Sequence, residues 1–224
     1  MIQEKGATMS HNREAQQWVL LGNSSASNDV WGLRKINFPC GYVMPPGAYT
    51  MQGKPLQRPY QGEVWAMAGF AVEINREGKF ISKDEGSDYI AGYRPWTCVF
   101  HGNLVDELNK RGHTIENWDQ GLSIFHGLWC QASQSLGNLI TAEEFSKIID
   151  KKVILEYSGN SNEGESANCY GQDAVHIFHF MSQFMTLSAG DIWVQGPLVA
   201  SRLPKDADSF SMQVGNIKFD SLVI

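Results

Sequence analysis

The stretch Met67–Cys98, MAGFAVEINREGKFISKDEGSDYIAGYRPWTC, decides how the rest of the chain is placed. Phe70-Ala-Val-Glu-Ile74 has the β-branched and aromatic content of a strand, and the polar turn Asn75-Arg-Glu-Gly78 allows Lys79-Phe-Ile81 to return as its hairpin partner. Ser82 and Glu85 stand at capping-box spacing, and Asp84 and Glu85 suit the positive end of a helix dipole, so a short helix is expected over residues 82–91. A further strand follows Gly92. The unit reads strand, turn, strand, short helix, strand.

Working outward, side-chain alternation places Glu63, Trp65, Met67, Gly69, Ala71 and Glu73 on one face of the long strand. Trp18–Gly22 reads as the first strand, followed by a turn-rich loop NSSASND. Pro45 and Pro46 stiffen the loop after Tyr42. Helices are expected at Leu104–Lys110 and over about 173–185, and Ser158–Gly171 reads as a hairpin tip whose two glutamates are solvated. Asp208–Ile217 alternates as a strand and ends in a turn with a short partner strand.

With 224 residues, 42% hydrophobic and 19% charged, the chain can close one good core without a second domain. Its formal charge of −6 is scattered, with no basic run, which argues against nucleic acid and anionic membranes as partners. No apolar run reaches the roughly 18 residues of a membrane span, and the polar start lacks a signal-peptide core, so a cytoplasmic location is expected. Residues 1–17 read as a flexible tail without chemistry, and 18–224 as a single domain. Cys40, Cys98, Cys130 and Cys169 show no C-x-x-C spacing and read as reduced thiols.

Asp88-Tyr-Ile-Ala-Gly-Tyr93, placed after such a strand, resembles the central signature of the fumarylacetoacetate hydrolase family. Tyr42–Leu56 and Met185-Thr-Leu-Ser-Ala-Gly-Asp-Ile192 are similar to two further family runs, and the likeness extends over about residues 18–224. It implies an α+β, β-rich fold, a mixed β-sandwich or roll with short helices. It also implies a divalent metal held by two glutamates and an aspartate, which fall here on Met67, Gly69 and Cys98. A thioether, a bare backbone and a thiol do not form a hard-cation site, so no metal and no other cofactor are expected. The family's lysines fall on Met44 and Leu128, its water-activating histidine on Asn28, and its carboxylate-binding threonine is replaced near Gln195. Met44, Met67, Gly69, Leu128 and Gln195 are therefore the candidate substrate contacts. Because a large side chain is lost at Gly69 and charge at Met67, the former metal site is expected to be an uncharged cleft lined by Met67, Gly69, Cys98 and Leu128, with Met44 and Asn28 near its mouth.

Candidate catalytic groups are Cys98, as a nucleophile if its thiol were activated and as a buried thiol otherwise, and His101 and His126 as acid/base groups. His176 and His179, at i and i+3, suit a metal pair by spacing but sit among Ile177, Phe178 and Phe180 as a core helix would. Glu73 is too far along its strand to replace a lost ligand. Two functions are consistent with this pattern. One is a metal-independent lyase, isomerase or cyclase acting on a polarised carbonyl compound in specialised biosynthesis. The other is an inactive relative that binds a small molecule or stabilises an active homologue. A homodimer, or pairing with a related subunit, is expected from the resemblance.

Overall fold

In the computed structural model, the described residues are 15–31, 38–58, 64–102, 110, 112 and 127–224. The expected helix at Leu104–Lys110 and the candidate His126 lie outside them, apart from Lys110 itself. Two sheets carry the fold. Among the described residues, seven strands run in the order β2 (Gly41–Val43), β1 (Gln17–Leu20), β9 (Ile192–Leu203), β4 (Val64–Ile74), β5 (Ile90–Phe100), β6 (Gln134–Leu136) and β3 (Tyr49–Met51), and four in the order β11 (Ile217–Leu222), β10 (Ser209–Val214), β7 (Lys152–Tyr157) and β8 (Asn160–Ser166). The mixed, β-rich architecture follows the expectation from sequence.

The centre is β4 (Val64–Ile74), antiparallel to β5 (Ile90–Phe100) on one side and to β9 (Ile192–Leu203) on the other. β4 is covered on both faces, which explains its nearly unbroken apolar run. One face, with Ala66, Ala68 and Phe70, packs against the second sheet, formed by β7 (Lys152–Tyr157), β8 (Asn160–Ser166), β10 (Ser209–Val214) and β11 (Ile217–Leu222). The other face, with Met67 and Ala71, packs inside the curl of the first sheet. The strand-turn-strand reading of Asp208–Ile217 corresponds to β10 and β11, with their turn at Gly215.

Several local expectations are corrected. Lys79-Phe-Ile81 is not a hairpin partner: Gly78 makes only an isolated bridge to Leu187, and Phe80 turns out into solvent with φ 56°. Ser82 does hydrogen-bond Glu85 at 2.8 Å, but only Gly86–Tyr89 winds, as a 3-10 turn, because Ile90 already belongs to β5. The loop NSSASND instead contains helix α1 (Ser25–Trp31), where Ser24 Oγ accepts from Ser27 N–H at 3.1 Å as an N-cap. The region read as a hairpin tip at Ser158–Gly171 holds that tip only at Ser158-Gly159, between β7 and β8; β8 itself and a 3-10 turn at Ala167–Cys169 follow.

β1 (Gln17–Leu20) starts inside the stretch read as a tail, and Gln16 N–H is held by Asp191 Oδ1 at 2.8 Å. β1 lies parallel to β9 and antiparallel to β2 (Gly41–Val43). β3 (Tyr49–Met51) lies parallel to β6 (Gln134–Leu136) at the far edge. Helix α2 (Ala142–Ser146) is closed by a full Thr141/Glu144 capping box. Helix α3 (Ala174–Met181) falls within the expected 173–185 segment, is capped by Asp173 and buries Ile177 and Phe178.

Candidate functional site

Met67 and Cys98 are direct cross-strand partners on β4 and β5, so two of the three inherited ligand positions do meet. Both are fully buried, and Leu128, Met44, Trp96 and Leu136 pack around them in one apolar cluster. Gln134, also fully buried, ties that cluster together. Its Oε1 accepts from Trp96 Nε1 at 2.8 Å, and its Nε2 donates to the Leu128 carbonyl at 3.1 Å and reaches Met44 Sδ at 3.4 Å. Burial pushes the Cys98 thiol well above its ordinary range, with Cys130 adding to the effect, so Cys98 stays protonated and is not poised as a nucleophile. His101 follows the end of β5 and is buried, at 2% exposed.

The third position is not open space. A Cβ on Gly69 would lie 2.3 Å from the Gly196 carbonyl oxygen and 2.8 Å from the Tyr170 hydroxyl. β9 bulges at this point, where Gly196 adopts φ 102°, and the bulge brings its carbonyl over Gly69. Tyr170 Oη accepts from Phe70 N–H at 3.0 Å and donates to the Gly196 carbonyl at 2.8 Å. Its phenol is pushed far above the usual range by burial, so it remains a neutral donor. The expectation of a cleft opened by Gly69 is therefore corrected: a tyrosine from a loop 101 residues later in the chain fills the position.

Around this plug lies a polar network rather than a ligand pocket. Asn23 Nδ2 donates to the carbonyls of Gln172 at 3.2 Å and Gln195 at 3.0 Å, and Asn23 Oδ1 accepts from Gln172 N–H at 2.6 Å. Ser24 Oγ donates to the Pro197 carbonyl. Gln195 is thus part of the wall joining α1, β9 and the loop before α3, with its side-chain amide 3.4 Å from the Gln172 carbonyl. Asn28 falls on α1.

The family's divalent metal does not fit these residues. Met67 supplies a thioether, Cys98 a buried neutral thiol, and the space a carboxylate at 69 would need holds the Tyr170 hydroxyl. Glu73 is committed to Arg94 Nε at 2.6 Å. His179 Nδ1 lies 2.8 Å from the Ile81 carbonyl, which fixes it as the protonated nitrogen, and His176 faces Phe180 with ring centroids 6.5 Å apart. Among the described residues no three of His, Cys, Asp and Glu gather as a metal site.

The opening next to this cluster is displaced toward solvent. A cleft of about 790 Å³ lies beside the sealed cluster and shares Met44 with it. Its walls are Val43, Met44, Pro45, Pro46 and Tyr49 on one side, Ala15–Gln17, Gly190 and Ile192 on another, and Trp129. The double proline fixes the first wall; it enters a one-turn 3-10 helix at Pro46–Ala48 that ends as Tyr49 enters β3. Trp129, 40% exposed, donates its indole N–H to the Val43 carbonyl at 3.3 Å. No Asp, Glu, His, Lys or Arg stands among the described lining residues. Of the sequence candidates among the described residues, only Met44 lines this cleft. Gln17 and Trp129 were missed; Trp129 stands 83 residues beyond Pro46, and no local signal brings it to the Pro-Pro loop.

Comparison with known proteins places this geometry. The model for the fumarylacetoacetate hydrolase C-terminal family matches residues 4–218. No curated protein sequence matches the chain. Among solved structures, a protein ascribed to the same family from Yersinia pestis CO92 aligns with TM-score 0.75 at 19% identity, covering 93% of each chain. Fumarylpyruvate hydrolase from Pseudomonas aeruginosa, solved with Mn²⁺ and pyruvate, aligns with TM-score 0.73 at 14% identity, over 96% of this chain and 93% of that one. The 5-carboxymethyl-2-hydroxymuconate delta-isomerase of Mycobacterium smegmatis aligns with TM-score 0.70 at 19% identity, over 94% and 78%. These structural neighbours thus include a hydrolase and an isomerase. No helix among the described residues is long and apolar enough to cross a membrane.

Proposed function

This chain belongs to the fumarylacetoacetate hydrolase family, and from that premise we propose that it is a binding member of the family, holding a small, uncharged, largely apolar molecule in the Pro-Pro cleft without metal-assisted hydrolysis. One observation carries the reading: Met67 and Cys98 are sealed in the core, the space at Gly69 is taken, and the accessible cleft beside them is walled by apolar and aromatic groups. A cleft of about 790 Å³ suits a ligand of drug-like or aromatic-metabolite size. The stiff Pro45-Pro46 wall limits the ordering cost of binding.

The metal-independent lyase, isomerase or cyclase is the second reading, favoured by one group. Burial drives the Tyr49 phenol far above its usual range, so it stays a neutral hydrogen-bond donor on a residue that lines the cleft. A base is what that reading lacks among the described lining residues. A panel of uncharged aromatic and polyene carbonyl compounds, screened by calorimetry with the unmodified chain and with Trp129→Ala, tests the proposal. Saturable binding weakened by Trp129→Ala, with the compound recovered unchanged, is the expected result. Binding indifferent to Trp129→Ala would remove the cleft from the account, and catalytic conversion of the compound would establish the second reading.

A further inference from the structure

Away from the Pro-Pro cleft, aromatic side chains gather on the outer side of α3. Phe180 packs against Phe38 at 6.0 Å between ring centroids and against Phe184, just past the helix end, at 5.2 Å. Phe80 joins them from the loop between β4 and β5. Its N–H donates to the Ser182 carbonyl at 3.0 Å, and the next amide, that of Ile81, donates to Ser182 Oγ at 2.9 Å. Phe38 is 54% exposed, Phe80 64% and Phe184 72%. We propose that this aromatic face is where the chain pairs with a second copy of itself, face to face about a two-fold axis.

Phe80 shows that the face is built and not left over. A bulky side chain at φ 56° is uncommon and strained, and such a residue persists only where its surroundings hold it. Buried Ser182 holds it by taking two successive amides, and Gly78 and Leu187 exchange both backbone hydrogen bonds, at 3.0 and 2.9 Å, just before it. The ring is thus presented to solvent on a fixed backbone, which lowers the ordering cost of association.

The occupant follows from shape, area and charge. None of these phenylalanines lines the Pro-Pro cleft, and a row of rings along a helix flank gives a small molecule no enclosure. At about 150–250 Å² per ring, the three exposed ones leave on the order of 400 Å² of aromatic surface on each copy. Two copies set face to face then bury about 800 Å² of it, and the rim has only to complete the roughly 1,200–2,000 Å² of a stable interface. A rim of one sign would repel its own copy. Here the loop that carries Phe80 mixes both signs: Glu77, Lys79, Lys83, Asp84 and Glu85 are all exposed, and Lys79 Nζ lies 5.1 Å from the Phe80 ring centroid. Across a two-fold axis the lysines of one copy can meet the carboxylates of the other, which is the self-complementarity an isologous contact needs.

Sedimentation velocity on the full chain tests the pairing. A reversible dimer is expected, with a Kd of about 10 µM or tighter. Phe184→Lys and Phe80→Gly should each weaken it at least about tenfold, whereas Leu222→Lys, at a comparably exposed apolar position on β11, should leave it unchanged. Phe80→Gly also relieves the left-handed strain, so at a dilution where both chains are monomeric it should melt no lower than the native chain. If it does melt lower, Phe184→Lys carries the test alone. Two rim variants identify the partner: Lys79→Glu with Lys83→Glu, and Glu77→Lys with Asp84→Lys. Each alone should dimerise at least about tenfold more weakly than the native chain, and an equimolar mixture of the two should form a heterodimer of native strength or better. A chain that stays monomeric up to about 100 µM, a dimer indifferent to the phenylalanine variants, association that grows beyond two copies, or a mixture no tighter than its components overturns the proposal.

Discussion

Replacing Tyr170 by Phe keeps the ring in its packing and removes only the hydroxyl. In the folded chain that oxygen accepts from Phe70 N–H at 3.0 Å and donates to the Gly196 carbonyl at 2.8 Å, at the centre of the sheet where water does not compete. Without it, one backbone donor and one backbone acceptor lose a partner. An unmet buried group costs about 1–3 kcal/mol, and the carbonyl's second lone pair softens the loss, so Tyr170→Phe should destabilise by about 2 kcal/mol. For a chain of this length that is a fall of roughly 4–8 °C in melting temperature. Urea unfolding followed by tryptophan fluorescence measures it, and the m value should not change, because the surface exposed on unfolding is the same. A change below about 0.5 kcal/mol would mean that the hydroxyl does not bridge β4 and β9. The claim that Tyr170 occupies the lost carboxylate's position would then fail.

Other consequences follow from the sealed cluster. Met67→Glu restores one family carboxylate, yet it should destabilise by about 3–5 kcal/mol in the same urea assay, because the charge is buried without a partner. Millimolar Mg²⁺ or Mn²⁺ should not recover the loss, since Gly69 and Cys98 add no oxygen ligand. Iodoacetamide on the native chain should label exposed Cys169 first and leave Cys98 unmodified until unfolding, as peptide mass mapping would show. Stability should also fall on the alkaline side. Burial, with Asp173 adding to it, raises the Tyr93 phenol from 10.0 to about 12, and Tyr170 is raised further, so the unfolded chain releases protons that the folded chain keeps. This contribution is fully present below about pH 10 and is lost as the pH climbs through 12. Absorbance of tyrosinate, followed alongside circular dichroism, should show these phenols ionising only as the chain unfolds.

The long central strand and its antiparallel partner could be read from the sequence because their glycines, prolines and apolar residues serve the backbone and the core. The same is true of the Met185–Ile192 approach to β9. Local signals misled where tertiary pairing outweighed them. Phe80 has strand propensity, but among the described residues its stretch has no strand to pair with, whereas β4 finds β5 and β9 on either side. The Ser82–Glu85 pair forms as a cap would, yet the chain has too few residues left before β5 to propagate a helix.

At the site, the departures from the family pattern were legible one residue at a time, but their joint consequence was not. Gly69 suggested a vacancy because nothing local announced Tyr170, whose position depends on a loop anchored by Asn23 and Gln172. Two glycines, Gly69 and Gly196, falling in strand-like stretches were the available clue, since glycines on neighbouring strands mark a close backbone approach as readily as an empty site. Met44 was placed near the mouth of an interior cleft; it packs in the sealed cluster and also lines the separate outer cleft. Gln17 was discounted with the tail, because polar residues ahead of a first strand carry no periodic signal.

Methyl NMR on the full chain labelled at methionine offers the most direct test of a binding cleft beside a sealed core. Titration with an uncharged aromatic carbonyl compound that binds should shift the Met44 methyl saturably, and the Trp129 indole N–H with it. The Met67 methyl should move far less, and one equivalent of Mn²⁺ should leave it unbroadened. If the compound moves Met67 and leaves Met44 and Trp129 unchanged, or if Mn²⁺ broadens Met67, the inherited interior site is open and the account is wrong.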